Sequence, residues 1–253
     1  MKILLLDVET SPNLVHCWGL WNVNVSINQI IDSGRTLCWA AKWLGDKQKM
    51  MFDSVHQSTS LEMVTRIHQL IDEADAVVHY NGSKFDIPTL QKEFLLHGLP
   101  PASPIKQIDL LRTARKQFRF PSNKLDYIAQ ALGLGSKVRH KGHELWVQCM
   151  AGDDKAWKVM ERYNKQDVIL LEKVYNRLLP WITRHPNRGL YVDTSGASSC
   201  TNCGSEKLQK RGLSYTSTLT YQRYQCQDCG SWMKSRISEK TPSKKHLLVR
   251  DNG

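Results

Sequence analysis

Long apolar runs are missing from this sequence of 253 residues, in which no stretch approaches the 18 or more apolar residues of a membrane-spanning helix. A secretory leader also lacks support, because Met1 and Lys2 run directly into an apolar segment without a small-residue cleavage site. No internal repeat is evident in the sequence. We therefore expect a soluble, cytoplasmic protein without a membrane partner, whose cysteines stay reduced.

Acidic residues are scarce in two regions of the chain, which has a net charge of +11. Residues 112–141 contain eight Lys or Arg and one acidic residue, and residues 200–253 contain ten basic and four acidic residues. The rest of the chain is slightly acidic, with a net charge of −2. This distribution suits a polyanionic partner such as nucleic acid. A merely solvated basic surface is the alternative.

The hydrophobic pattern predicts several strands first, followed by alternating strands and helices. The run Ile3-Leu4-Leu5-Leu6 predicts a buried first strand, and segments near 15–23, 36–44 and 49–55 favour further strands of an antiparallel meander. Helical periodicity occupies 58–73, 87–97 and later segments near 110–118, 123–132 and 153–179. Asp109 is expected as the N-cap of one of these helices. The order predicts an α/β fold with a mixed sheet flanked by helices.

Four carboxylates and one tyrosine occur in three short motifs, Asp7-Val8-Glu9, Asn81-Gly82-Ser83-Lys84-Phe85-Asp86 and Tyr163-Asn164-Lys165-Gln166-Asp167. Asp7 and Glu9 are two residues apart on a predicted strand and share a face, as do Tyr163 and Asp167 on a predicted helix. A cluster of carboxylates can hold two Mg²⁺ or Mn²⁺ ions for phosphodiester cleavage. Taken singly, each motif also fits a structural role, such as Asp86 at a helix start.

Together the three motifs resemble those of the DEDD superfamily of 3′–5′ exonucleases, in particular the proofreading exonuclease domains of family B DNA polymerases and their stand-alone relatives. The resemblance covers residues 1 to about 180 and implies a ribonuclease H-like fold with a mixed five-stranded sheet. Position 163 is Tyr and position 162 is Arg, so the chain resembles the tyrosine (DEDDy) branch and not the branch with a histidine five residues before the last Asp. No polymerase motifs follow.

The resemblance implies a role for each matching residue. Two Mg²⁺ or Mn²⁺ ions would be bound by Asp7, Glu9, Asp86 and Asp167, with Asp7 bridging both. Tyr163 would orient the attacking water, since a phenol with a reference pKa of about 10 is a poor base at neutral pH. The terminal nucleotide would be contacted or positioned by Thr10, Asn81 and Phe85.

The implied activity is metal-dependent hydrolysis of phosphodiester bonds from the 3′ end of single-stranded DNA, with release of nucleoside 5′-monophosphates. An exoribonuclease of the ribonuclease D type, which shares the tyrosine, is one alternative. A non-catalytic nucleic-acid-binding replication accessory protein is another, although clustered buried acids are costly without a cation. Replication or repair proteins are candidate partners besides DNA or RNA.

Two C-x-x-C-G sequences separated by 22 residues contain Cys200, Cys203, Cys226 and Cys229. This spacing predicts a zinc ribbon, with a β-hairpin between the two knuckles and one structural Zn²⁺ held by four thiolates. Two disulfides are the competing interpretation. The remaining cysteines lie singly among apolar neighbours and are expected as buried thiols: Cys17, Cys38 and Cys149.

The composition changes after residue 181 and predicts four parts: a ribonuclease H-like exonuclease domain (1–182), a linker (183–197), the zinc ribbon (198–236) and a basic tail (237–253) expected to be poorly ordered. Aromatic and basic residues of the ribbon would form a compact surface, namely Tyr215, Tyr221, Arg223, Tyr224, Trp232, Lys234 and Arg236. Nucleic acid is the expected ligand of this surface, and docking on a protein is the alternative.

Overall fold

The computed structural model describes residues 1–46, 50–192, 196–239 and 248. The chain divides into two compact units, Met1–Asn176 and Arg177–Gly253. Among the described residues, no helix combines the length and apolar character needed to cross a membrane. The predicted division at residues 182, 197 and 236 stays a prediction, and most of the predicted basic tail, 240–247 and 249–253, lies outside the described residues.

The first unit is built on a five-stranded mixed sheet with strand order β5-β4-β1-β6-β7. Its strands are β1 (Ile3–Thr10), β4 (Thr36–Trp43), β5 (Met51–Ser54), β6 (Ala76–His79) and β7 (Lys106–Asp109). β1 pairs with β4 antiparallel and with β6 parallel, while β4–β5 is antiparallel and β6–β7 is parallel. The central position of β1 explains its continuous apolar run, because both faces of such a strand are covered.

Among the described residues, six α-helices accompany this sheet. They are α1 (Ser60–Glu73), α2 (Asp86–Leu96), α3 (Leu110–Gln117), α4 (Leu125–Ala131), α5 (His143–Met150) and α6 (Asp154–Leu178). A capping box between Thr59 and Glu62 starts α1. Asp109 caps α3 by accepting the backbone N–H groups of Leu111 and Arg112, as the sequence predicts.

The two faces of β1 pack against different helices. Leu4, Leu6 and Val8 belong to the core formed with α1 and α2. Since side chains alternate along a strand, the odd-numbered residues point to the opposite face, where Cys38 of β4 packs with residues of α5 and α6. Asp7 and Glu9 are therefore directed toward the α6 side of the sheet.

Residues 11–35 lie outside the five-stranded sheet, and one prediction for this segment is wrong. The strand expected at 15–23 is reduced to β2 (Leu14–Val15), which pairs with β3 (Ile30–Asp32), with a short 3₁₀ helix at Ile27–Gln29. Trp18 and Trp21 in this segment are exposed. Cys17 is also exposed, so the prediction of a buried thiol there is wrong; Cys38 and Cys149 are buried as expected.

The second unit contains a three-stranded antiparallel sheet with order β10-β9-β8. Its strands are β8 (Leu208–Tyr215), β9 (Thr220–Cys226) and β10 (Trp232–Lys234). The predicted hairpin is present as β8 and β9 and is longer than expected. Short 3₁₀ helices occur at Leu179–Trp181 and Arg188–Tyr191, the latter within the segment predicted as a linker. Together with the five-stranded sheet, this confirms the predicted fold class, and the cysteine-bearing unit is compatible with a zinc ribbon.

Candidate active site

Three of the predicted carboxylates meet beside the C-terminal half of β1. Asp7, Glu9 and Asp167 each offer an oxygen, and these oxygens all lie within 4.8 Å of one another. The two-residue spacing on β1 places Asp7 and Glu9 on the face toward α6, and α6 carries Asp167. The three groups form a compact set of hard oxygen donors, the type that Mg²⁺ and Mn²⁺ prefer.

The fourth predicted acid, Asp86, approaches from the other side of the sheet. It is the first residue of α2, and its Oδ1 accepts the backbone N–H of Val8 at 3.0 Å. Because Val8 lies between Asp7 and Glu9, the Asp86 carboxylate is adjacent to this pair without joining the set of three. The helix α2 packs on the α1 side of the sheet, opposite to the face that carries the Asp7 and Glu9 side chains. Asp86 therefore contacts the backbone of β1 at Val8.

Burial raises the pKa values of the acids, and repulsion within the cluster adds to the shift for Asp7 and Glu9. Burial is the main cause for Asp7, whose pKa lies well above its usual range, and the neighbouring Glu9 adds to it. Burial, followed by the charge of Asp167, raises the pKa of Glu9 to about 8. Burial also raises the pKa of Asp86 to about 7, although the bond from Val8 opposes the shift. Such a cluster is stabilised by bound cations, which offset both desolvation and repulsion.

Lys137 is a site residue that sequence reasoning missed. Its ammonium donates to Asp167 Oδ2 and, at 3.2 Å, to the hydroxyl of Tyr163. Burial alone would lower the pKa of Lys137, but the nearby Asp167 and Tyr163 raise it above its usual value. In the sequence, Lys137 stands out only as one of the basic residues of 112–141. The loop around it has no periodicity from which the direction of its side chain could be predicted.

Tyr163 lies on α6, one turn before Asp167, and its buried ring contacts two aromatic side chains. His140 meets it edge-on with ring centroids 4.7 Å apart, and Trp146 lies at 6.0 Å. Burial, followed by the charges of Glu9 and Asp167, raises the pKa of the phenol above its usual value. The phenol therefore keeps its proton at neutral pH and acts as a hydrogen-bond donor.

Asn164 anchors the first motif to α6. Its Nδ2 donates to Asp7 Oδ2 at 2.7 Å and to the Asp7 backbone oxygen at 3.3 Å. The side chain is fully buried, so the bond fixes the orientation of the Asp7 carboxylate. Within the part of the chain that the structure describes, Asp167 Oδ1 is buried without a hydrogen-bond partner. A buried carboxylate oxygen of this kind fits a role as a cation ligand.

The loop of the second motif is fixed by two polar residues of the neighbouring strands. Asp109 accepts the N–H of Asn81 at 3.1 Å and the hydroxyl of Ser83 at 2.6 Å. The N–H of Gly82 donates to His79 Nδ1 at 3.0 Å. Asn81 has a positive φ of 69°, a conformation that Asn tolerates better than most residues. This loop sets the start of α2 and with it the position of Asp86.

An open cleft of about 540 Å³ adjoins the carboxylates. Its lining includes Asp7, Asn81 and three basic side chains, Arg115, Lys124 and Lys137. Of the other predicted substrate residues, Thr10 ends β1 beside Glu9, and the Phe85 side chain is 44% exposed next to Asp86. The cleft thus places positive charge and the two amides of Asn81 and Asn123 beside the acidic set.

The second unit brings the four knuckle cysteines together. Their Sγ atoms all lie within 4.8 Å of one another, with Cys200–Cys229 at 3.5 Å and Cys203–Cys226 at 3.6 Å. A disulfide requires about 2.05 Å, whereas four sulfurs bound to one Zn²⁺ at about 2.3 Å are roughly 3.8 Å apart. The glycine after each knuckle has a positive φ, as the tight turn requires, at Gly204 and Gly230. The donor set fits Zn²⁺.

Comparison with known proteins agrees with this architecture. A family model described as the RNase_H superfamily matches residues 33–179, more than half of the chain. The chain therefore belongs to the RNase_H superfamily. The match begins after Asp7 and Glu9, so it does not bear on the first motif.

A solved structure shows the same fold at low sequence identity. The family B DNA polymerase from the hyperthermophilic archaeon Pyrobaculum calidifontis matches with a TM-score of 0.51 and 17% identity. The match covers 71% of this chain and 24% of the polymerase chain, so it concerns a minor part of that protein. A search of curated proteins found no match.

Proposed function

We propose that the protein is a two-metal-ion 3′–5′ exonuclease of the DEDDy type, acting on the 3′ end of single-stranded DNA and releasing nucleoside 5′-monophosphates. The observation that carries this proposal is the set of carboxylate oxygens of Asp7, Glu9 and Asp167, all within 4.8 Å of one another. The polarity of digestion and the preference for DNA rest on the resemblance of the three motifs to the exonuclease family.

Two Mg²⁺ or Mn²⁺ ions fit the residues present. Asp7, Glu9 and Asp167 would hold them, with Asp86 as a further ligand after release of its bond to Val8. The all-carboxylate donor set and the unpartnered, buried Oδ1 of Asp167 support this assignment. When bound, such ions supply activation of water and neutralisation of phosphate charge.

The chain's own residues orient the reactants. The Tyr163 hydroxyl donates a hydrogen bond to Asp167 and would position the attacking water. Lys137 adds a fixed positive charge beside Asp167, which would stabilise negative charge developing on the phosphate. Asn164 keeps the Asp7 carboxylate in one orientation, so that its oxygens stay directed at the cluster.

The substrate would enter the cleft beside Asp7, whose volume of about 540 Å³ lies within the usual range for small-molecule sites. We assign the terminal nucleotide to Thr10, Asn81 and Phe85, with Arg115 and Lys124 near the phosphates.

Exoribonuclease activity of the ribonuclease D type and non-catalytic binding in replication or repair are the competing functions. The proposal includes one structural Zn²⁺ on the four cysteines, the predicted domain division and a cytoplasmic location.

The direct test is digestion of end-labelled DNA and RNA oligonucleotides with Mg²⁺ or Mn²⁺, beside an Asp7→Asn variant that keeps the shape of the side chain. We expect shortening of single-stranded DNA by one nucleotide at a time from the 3′ end, and none with Asp7→Asn. Preferential digestion of RNA would favour the ribonuclease D alternative. Internal cuts would contradict exonuclease action, and binding without metal-dependent products would favour an accessory protein.

A further inference from the structure

One face of the three-stranded sheet in the second unit combines aromatic and basic side chains. Tyr221 and Arg223 are two residues apart on β9 and share this face. β10 pairs with β9 antiparallel, with Lys234 opposite Arg223 and Trp232 opposite Gln225, so both residues of β10 lie on the same face. We name Tyr221, Arg223, Trp232 and Lys234 the aromatic–basic face.

Each ring of this face has a cation beside it. The guanidinium of Arg223 lies 5.9 Å from the centre of the Trp232 ring, and the ammonium of Lys234 lies 4.6 Å from the centre of the Tyr221 ring. Trp232 is 53% exposed, and Arg223 and Lys234 are exposed as well. The cation–π contacts keep rings and charges side by side at the surface, where a ligand can reach both.

The charge of the sheet is of one sign. The three strands contain four basic residues, Lys210, Arg211, Arg223 and Lys234, and no Asp or Glu. Among the acids of the described turns, Asp228 already pairs with Lys207 at 3.4 Å and accepts the Ser205 hydroxyl at 2.7 Å. The face is therefore complementary to a polyanion.

We propose that the aromatic–basic face binds single-stranded nucleic acid, with unpaired bases stacked on Trp232 and Tyr221 and phosphates contacted by Arg223 and Lys234. The exposed Trp232 ring and the half-buried Tyr221 ring favour a single strand, because bases in a duplex are already stacked and offer no free π-face to a side chain. The alternating rings and cations suit the repeating base and phosphate of a strand. This binding needs no catalytic metal and is independent of the proposed hydrolysis.

Binding is measured by fluorescence anisotropy with a labelled oligothymidylate, on the full chain carrying Asp7→Asn, without Mg²⁺ and without chelator. Trp232→Ala should weaken binding at least about fivefold with an unchanged salt dependence, since stacking contributes little charge. Lys234→Gln should lower the slope of log affinity against log salt by about 0.7, the value for one phosphate contact on a single strand. Zinc content is measured for every variant, so that loss of the fold is recognised.

The matched control is Lys210→Gln, which removes the same charge from a residue that pairs with Tyr224 and thus lies on the opposite face. It should leave affinity and salt slope nearly unchanged. Equal effects of Lys210→Gln and Lys234→Gln would overturn the proposal in favour of diffuse charge. Unchanged binding by Trp232→Ala with zinc retained, or duplex binding as tight as single-strand binding, would also overturn it. Failure of the exonuclease proposal would appear separately, as wild-type protein that yields no metal-dependent products.

Discussion

Lys137 donates a hydrogen bond from its ammonium to the carboxylate of Asp167, which lies thirty residues later in the chain. Four acids lie at or beside this point. Within the described residues, Lys137 is the one basic side chain that forms an ion pair with any of them. Its second bond, to the Tyr163 hydroxyl, ties the loop before α5 to α6. Lys137 therefore offsets part of the negative charge of the site and also holds the Tyr163 hydroxyl in place.

The substitution Lys137→Met tests this connection while retaining the apolar stem. We expect kcat to fall about 10²-fold, the usual effect of removing one fixed donor that stabilises transition-state charge. KM should change much less, and Lys137→Arg should restore part of the activity. Arg115→Gln serves as the control, because Arg115 lines the same cleft and no ion pair joins it to the acids within the described residues. It should raise KM and leave kcat near the wild-type value; the reverse pattern would contradict the role of Lys137.

The acidic set itself should lower stability unless cations are bound. Burial raises the pKa of Glu9 to about 8, so keeping this carboxyl group in the folded, metal-free protein costs stability at neutral pH. Glu9→Gln removes that cost, and the metal-free variant should melt at a higher temperature than the metal-free wild type. Saturating Mg²⁺ should stabilise the wild type by about 2.7 kcal/mol at a hundredfold excess over Kd. The variant should gain clearly less. Equal Mg²⁺ stabilisation of both proteins, measured by thermal denaturation, would argue against ion binding at Glu9.

Gly82→Ala tests the position of Asp86 while leaving all four carboxylate residues in the sequence. A Cβ at residue 82 would lie 2.4 Å from His79 Cγ and 2.9 Å from Asp86 Oδ2, so the start of α2 must shift. Misplacement of a catalytic group by about 1 Å costs on the order of 10² in rate, and we expect a loss of that size. Gly19→Ala is the control, since its Cβ would meet only Val23 at 3.8 Å. Wild-type kinetics for Gly82→Ala would show that Asp86 is not held through this loop.

Sequence reasoning succeeded where a regular period fixes direction and failed in loops. The two-residue period of β1 predicted the common face of Asp7 and Glu9, and the four-residue spacing on α6 predicted that of Tyr163 and Asp167. Lys137 escaped prediction because its direction depends on a loop with positive φ at Gly133, Gly135 and Gly142, which follows no period. Residues 11–35 misled for a related reason: strand propensity reflects packing against neighbouring side chains, and Trp18 and Trp21 of this segment are exposed.

His79 should make stability depend on pH. Its Nδ1 accepts the N–H of Gly82, and burial lowers its pKa below the usual value although Asp109 opposes the shift. The unfolded chain therefore takes up the proton first as pH falls below about 6.5, and stability is lost from there down through the folded pKa. Urea unfolding of wild type and His79→Gln between pH 5 and 7.5 measures this. The variant should show the weaker dependence, and an unchanged dependence would contradict this role of His79.

The zinc site can be tested apart from catalysis, because its four thiols lie in the second unit. The purified protein should release about one zinc per chain to a chromogenic chelator after thiol modification. Cys226→Ser should lose the metal, since a neutral hydroxyl is a poor replacement for thiolate, whereas Cys17→Ser should retain it because Cys17 lies outside the cluster. An intact mass lower by two hydrogen atoms per cysteine pair, with no zinc bound, would instead establish disulfides. The S···S separations of 3.5 and 3.6 Å favour the metal.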